Sequence, residues 1–212
     1  MVRPVIIIGA GGHTKVLIAT LVLLRREIIG VMEANHEKQG GFLSAIPIIG
    51  DDEAIKNYKP EKIELVNGIG SVGSPHKRME IYQRFKKQGY KFAGVVHPSA
   101  IVMSDVQFGE GVQIMAGAII QPGVRIGDNA IINTGAILDH DCIIGEHTHI
   151  APGAVLSGGV HIGVASHVGT SATIIQGIRI GENSIIGAGA VVIKNIPAGN
   201  KEAGVPARNI KK

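Results

Sequence analysis

From Ala100 to Asn195 the chain divides without a break into sixteen units of six: AIVMSD VQFGEG VQIMAG AIIQPG VRIGDN AIINTG AILDHD CIIGEH THIAPG AVLSGG VHIGVA SHVGTS ATIIQG IRIGEN SIIGAG AVVIKN. Every unit holds Ile, Val, Leu or Phe at its third place. The first place holds Ala, Val, Cys, Thr, Ser or once Ile, and Gly, Asp, Asn and Glu crowd the last three. In an extended backbone the first and third residues share a face, and the polar remainder makes a turn. A strand-plus-turn unit repeated with no insertion is a solenoid, because each unit buries its face only against neighbours. Strand faces this short close into a narrow prism. The composition agrees: 30 residues are glycine, while Phe, Tyr and Trp together make up only 3% of the chain. Ile, Val, Leu and Ala must fill such a core.

Residues 1–96 follow a different regime, with the change near His97-Pro98. They read as strand "VIIIG", helix His13–Leu24, strand "EIIGVM", strand "KIELVNG", helix "PHKRMEIYQRFKKQG" and strand "KFAGVVH". Strands alternating with helices predict a small, Rossmann-like parallel sheet. "GAGGHTK", Gly9 to Lys15, directly follows the first strand and opens a helix. Backbone N–H groups at Gly9, Gly11, Gly12 and His13 can there meet a phosphate, and glycine lets the ligand approach. A dinucleotide fingerprint would need glycine where Thr14 stands, which disfavours NAD. Glu33, at the end of the second strand, lies where an acid can hold a ribose hydroxyl. The turn "NGIGSVGS" (67–74), with Gly70, ends a strand on the same sheet edge and is expected to line the same crevice.

Charge and cysteine usage narrow the class. A net charge of +4 with no dense Lys/Arg cluster among aromatics argues against nucleic acid and suits an anionic small substrate. The single cysteine, Cys142, excludes an intrachain disulfide framework and suits a reducing compartment. The apolar run "VLIATLVLL" (16–24) is too short to span a bilayer. No secretory leader is visible, so a cytoplasmic protein without membrane insertion is expected.

The sixes resemble the hexapeptide repeat of the left-handed parallel β-helix acyltransferases, in which three repeats make one triangular coil. Sixteen units then give a little over five coils. Members are typically homotrimers with acyl-CoA lying between neighbouring helices. An α/β unit opening on "GAGGHTK" and fused to such repeats resembles, over nearly the whole chain, the sialic acid O-acyltransferase family of sugar acetyltransferases. The nearest group is the N-acetyltransferases of bacillosamine-type and perosamine-type amino sugars. The resemblance implies that residues 1–96 bind a nucleotide sugar and residues 97–212 hold acetyl-CoA. It also implies acetylation of the 4-amino group of a nucleotide-linked (UDP or GDP) 4-amino-4,6-dideoxy sugar for surface polysaccharide or glycan biosynthesis.

The most specific local match is "NTGAILDHDCIIGEHTH" (133–149), which maps Asn133, His140, Asp141 and His149 onto the family's functional positions. His140 resembles the catalytic base. The chemistry asks for one, because a sugar ammonium is not nucleophilic and a neutral imidazole must take a proton as the amine attacks the thioester. An adjacent carboxylate fixes the tautomer and favours the imidazolium; Asp141 is the family-matched orienter, with Asp139 equally close in sequence. By the same resemblance His149 contacts acetyl-CoA, together with Thr170 and Ala188. His149 and His167, eighteen residues apart, are expected to stack on one outward face. His161 and His167 read as exposed strand residues, and His147 has no assigned role.

Other classes make different demands. A γ-type carbonic anhydrase needs two histidines five apart on one chain, and His140, His147, His149, His161 and His167 offer no such pair, so no metal is expected. A non-catalytic sugar-nucleotide binder would keep the prism and the glycine turn without needing His140. A sialic acid O-acetyltransferase would need no diphosphate–ribose site at the glycine turn and Glu33.

Overall fold

The computed structural model describes residues 2–34, 46–71 and 74–210. Val72 and Gly73 of the turn 67–74 lie outside the described residues. In the first unit, β1 (Val5–Ile8), α1 (Gly12–Leu23), β2 (Ile28–Met32), β3 (Ile48–Gly50), a 3-10 helix (Asp52–Asn57), β4 (Glu64–Asn67) and α2 (His76–Lys87) follow in order. The four strands form one parallel sheet in the order β3-β2-β1-β4. β1 is central and wholly buried, which is why it reads as an unbroken apolar run. Its residues alternate between two cores. Val5 and Ile7 pack with Leu17, Ile18 and Leu21 of α1, whereas Ile6 and Ile8 pack with Tyr82 and Phe85 of α2.

The repeat unit is a three-sided parallel β-helix. Its two-residue strands pair with the strands eighteen residues before and after, so Ile131–Ile132 lies between Gln113–Ile114 and His149–Ile150. The first face runs from Val95–Val96 to Lys201–Ala203, the second from Ile101–Val102 to Val191–Val192, and the third from Gln107–Phe108 to Arg179–Ile180. First-place and third-place residues fill the interior in one continuous cluster. Where the first place is polar, the hydroxyl bonds a carbonyl of the next coil: Thr148 to Gly163, Ser166 to Gly181 and Ser184 to Pro197. The sixth place carries left-handed backbone, as at Gly135 (φ 64°) and Asp141 (φ 60°).

Two expectations need correction. The strand expected at "KFAGVVH" is divided between the units. Phe92 bridges Leu65 of β4, and Val95–Val96 pairs instead with Gln113–Ile114 of the prism. The reason is packing: Phe92 stacks on Tyr82 at 4.6 Å, while Val95 belongs to the core shared by α1 and Met115. Nor are His161 and His167 exposed strand residues. Both are half-buried, His161 against Arg179 and His167 edge-on to His149.

Candidate active site

A cavity of about 990 Å³ lies where the C-terminal edge of the parallel sheet meets the prism. Its walls are the glycine turn after β1, the ends of β2 and β4, and the prism corner after Ile131–Ile132. Gly9, Gly11, Gly12, His13, Glu33 and Gly70 all line it, and so do Asn133 and His149.

The glycine turn is shaped for an anion. Gly9 has φ +86°, a left-handed conformation that side chains strain. Gly11 caps α1 without a side-chain bond, so the amides of the helix's first turn are not consumed by a cap. The Ala10 amide already donates to Glu33 Oε2 at 3.0 Å. Thr14, which breaks the dinucleotide pattern, is buried and clasps two turns at once. Its hydroxyl bonds the carbonyls of Gly9 and of Gly68, the latter at 3.2 Å. A Cβ on Gly68 would stand 2.2 Å from that hydroxyl, so the clasp requires glycine there.

Two histidines, His13 half-buried and His149 buried, tie the cavity to the prism. Gln113 donates its amide to the carbonyl of Asn67 at 2.9 Å, which turns its oxygen toward His13 Nε2, 2.7 Å away. His13 therefore carries its proton on Nε2. Burial, with the nearby Arg78 charge, pushes its pKa down to about 4. At the prism corner the Thr134 amide donates to Asn133 Oδ1 at 2.8 Å, fixing the side-chain amide so that Nδ2 donates to His149 Nε2 at 2.9 Å. The His149 proton is thus on Nδ1, which donates to Ser71 Oγ at 2.6 Å. Burial first, then His167, His13 and Arg78, push His149 down to about 2, so the ring is neutral. A neutral ring locked at both nitrogens orients Asn133; it does not shuttle protons.

His140 stands elsewhere. It occupies the corner between the second and third faces, whereas Asn133 and Thr134 occupy the corner between the first and second. His140 Nδ1 meets Asp141 Oδ2 at 2.8 Å, with the two side chains 54% and 73% exposed. The hydrogen bond that Asp141 accepts raises the His140 pKa; desolvation opposes it, and the Asp139 and Asp141 charges add to the rise. Asp139 instead accepts the His140 backbone amide at 2.7 Å. The ring lies against Gly158 of the next coil, where a Cβ would be 2.4 Å from Nε2. A solvent-facing imidazole with Nδ1 held by a carboxylate leaves Nε2 to accept a proton.

The chain matches known proteins over its length. Residues 4–85 match the PglD N-terminal domain, residues 105–140 and 123–158 the bacterial transferase hexapeptide (six repeats), and residues 159–194 the hexapeptide repeat of succinyl-transferase. PerB from Caulobacter crescentus, solved in complex with CoA and GDP-perosamine, is 35% identical with a TM-score of 0.91, over 100% of this chain and 99% of that one. The acetyltransferase domain of PglB from Neisseria gonorrhoeae, solved with acetyl coenzyme A, is 33% identical with a TM-score of 0.90, over 99% and 100%. No curated protein matches the chain. The chain belongs to the hexapeptide-repeat sugar acetyltransferases with a PglD-type N-terminal domain. The prism is accordingly the left-handed parallel β-helix of that family.

Within this acetyltransferase frame the expected site residues fall into two groups. The substrate-side glycines, His13 and Glu33 share the cavity with Asn133 and His149. His140 and Asp141 do not line it. Nor do Thr170 and Ala188, which continue, one and two coils on, the corner column that begins with Thr134 and Pro152. Sequence reasoning missed Gln113, Ser71 and Arg78. Gln113 was within reach of the stacking rule, since it lies in the outward column of Ile131, His149 and His167. Ser71 and Arg78 carry no such signal. Among the described residues, no three His, Cys, Asp or Glu side chains converge as a metal set. No helix there is long and apolar enough to cross a membrane.

Proposed function

We propose that the chain transfers the acetyl group of acetyl-CoA to the 4-amino group of a nucleotide-linked 4-amino-4,6-dideoxy sugar, with His140 as general base. The observation that carries this reading is full-length likeness to PerB, whose structure holds CoA and GDP-perosamine. Residues 1–96 take the nucleotide sugar, with the amides of Gly11 and Gly12 toward the diphosphate and Glu33 toward the ribose. Residues 97–212 take acetyl-CoA along the column of Thr134, Pro152, Thr170 and Ala188, beginning beside His149. Asn133 positions the amine. As the nitrogen attacks the thioester carbon, its proton passes to His140 Nε2; the C–S bond then breaks, and the imidazolium returns the proton to the departing thiolate, giving the amide and the CoA thiol. Asp141 holds the ring through Nδ1 and stabilises the imidazolium.

The same geometry supports a homotrimer. Asn133 and His140 lie on the two edges of the second face, whose outward residues Ile119, Ile137, Val155 and Val191 are apolar and half-buried, with Thr173 the polar member of that column. Three prisms packed with second faces inward bring each cavity corner beside the His140 corner of a neighbour and cover that apolar column. The reaction is cytoplasmic in this reading and feeds surface polysaccharide or glycan assembly. Acetylation rates for GDP-, UDP- and dTDP-linked 4-amino sugars, compared with sialic acid, test the proposal. Transfer to a nucleotide amino sugar that falls by about 10²–10⁴-fold in His140→Ala supports it; preference for sialic acid, or transfer to no amino sugar, overturns it.

A further inference from the structure

Arg78, on α2, is the largest fully buried side chain, 1% exposed. Its position is unusual for a cation. Among the described residues it pairs with no carboxylate. Nη1 donates to the carbonyls of Asn67 at 2.6 Å and Ile69 at 2.9 Å, and Nε donates to the carbonyl of Asn129 at 3.2 Å. Nη2 is buried without a partner. Two of those carbonyls belong to the turn whose Gly68, Ile69, Gly70 and Ser71 wall the cavity, and the third belongs to the prism. Asn67 completes the knot, its side-chain amide donating to the Arg78 carbonyl at 3.0 Å and to Asn129 Oδ1 at 3.2 Å.

A buried cation with no counter-charge is expensive to keep. Its field reaches the cavity wall: the Arg78 charge is one of the causes that lower the pKa of His13 and of His149, which line it. An anion entering the cavity offsets that cost, because a charge in a low-dielectric wall acts strongly at a distance.

We propose that Arg78 is a positioning residue for the nucleotide-sugar site: it shapes the Asn67–Ser71 wall through three carbonyls and supplies, from behind that wall, the unpaired positive charge that selects a diphosphate-bearing ligand. Arg78 does not line the cavity; it acts through the turn and through its field. The inference deepens the nucleotide-sugar reading and rests on it.

The test is calorimetric binding of GDP, UDP and the uncharged nucleosides guanosine and uridine to the full chain, in wild type, Arg78→Met and Arg78→Lys. In Arg78→Met the affinity for the diphosphates should fall about tenfold, the size expected of one buried charge acting without contact, while nucleoside affinity is little changed. Arg78→Lys keeps the charge but not the planar fork, so it should retain the preference for diphosphate over nucleoside. Steady-state kinetics should show the KM for the nucleotide sugar rising in both variants with the KM for acetyl-CoA unmoved. A folded Arg78→Met that keeps the wild-type preference for diphosphate overturns the inference. If Arg78→Met does not fold, Arg78→Lys decides alone, and loss of the preference despite the retained charge overturns it. Wild-type protein that binds neither GDP nor UDP would overturn the nucleotide-sugar reading itself, an outcome distinct from equal binding by wild type and variant.

Discussion

Gly158→Ala separates the position of His140 from its chemistry. The new Cβ would stand 2.4 Å from His140 Nε2, 2.5 Å from Cε1 and 3.0 Å from Cδ2. Ordinary contact needs about 3.5 Å, so the ring must withdraw by roughly 1 Å or swing off Asp141. Gly158 itself is not in the left-handed region, so alanine suits its backbone and the folded chain should be as stable as before. A displacement of about 1 Å at a reacting group costs on the order of 10²-fold in rate. The expected outcome is a kcat about 10²-fold lower in a thiol-release assay, with both KM values and the melting temperature little changed. A double-mutant cycle sharpens the test. On a His140→Ala background the same alanine should cost nothing more, since the ring it displaces is gone. Wild-type kcat in Gly158→Ala, or a further loss on the His140→Ala background, would refute the reasoning.

Asp141→Asn should lower kcat and move the acid limb of kcat/KM to lower pH, because the bond that raises the His140 pKa is lost; a limb that stays put removes Asp141 as the orienter. His13 is held neutral down to about pH 4, below its ordinary 6.5, so the unfolded chain takes up a proton that the folded chain refuses. That contribution, about 3 kcal/mol, is full above pH 6.5 and lost as pH falls toward 4. Urea midpoints for His13→Asn should therefore fall less steeply over that window than those of wild type, and equal slopes would contradict it. Ile137→Asp, on the apolar second face, should convert a trimer to an inactive monomer by light scattering. A trimer that tolerates it assembles through another face.

The prism was legible because its periodicity is local. Six residues suffice to state which positions turn inward, and sixteen repetitions leave no second fold for them. The glycine turn and Glu33 were legible as a crevice, and they line the cavity with Asn133 and His149; the roles of Asn133, His140, Asp141 and His149 rest on the resemblance alone. β3 was not, being three residues with no alternation to mark it. Phe92 and Val95 looked like one strand because nothing local says that apolar residues three apart serve different cores. Arg78 was invisible for a stronger reason. In sequence it is one cation of a basic amphipathic helix, and only the tertiary approach of the Asn67 turn and the Asn129 corner makes it the buried one.

The eighteen-residue pairing of the coils constrains how such a chain can change length. Inserting six residues between Asn133 and His140 would leave every hexapeptide intact and the core filled. It would also turn all that follows by a third of a revolution, carrying the His140 corner off its edge of the second face. Only an insertion of a whole coil preserves which corner each residue occupies, and it moves the histidine about 4.8 Å further along the axis from the nucleotide end. Which corner a residue occupies is thus fixed by counting repeats modulo three, and its distance along the axis from the α/β unit changes only in steps of one strand spacing.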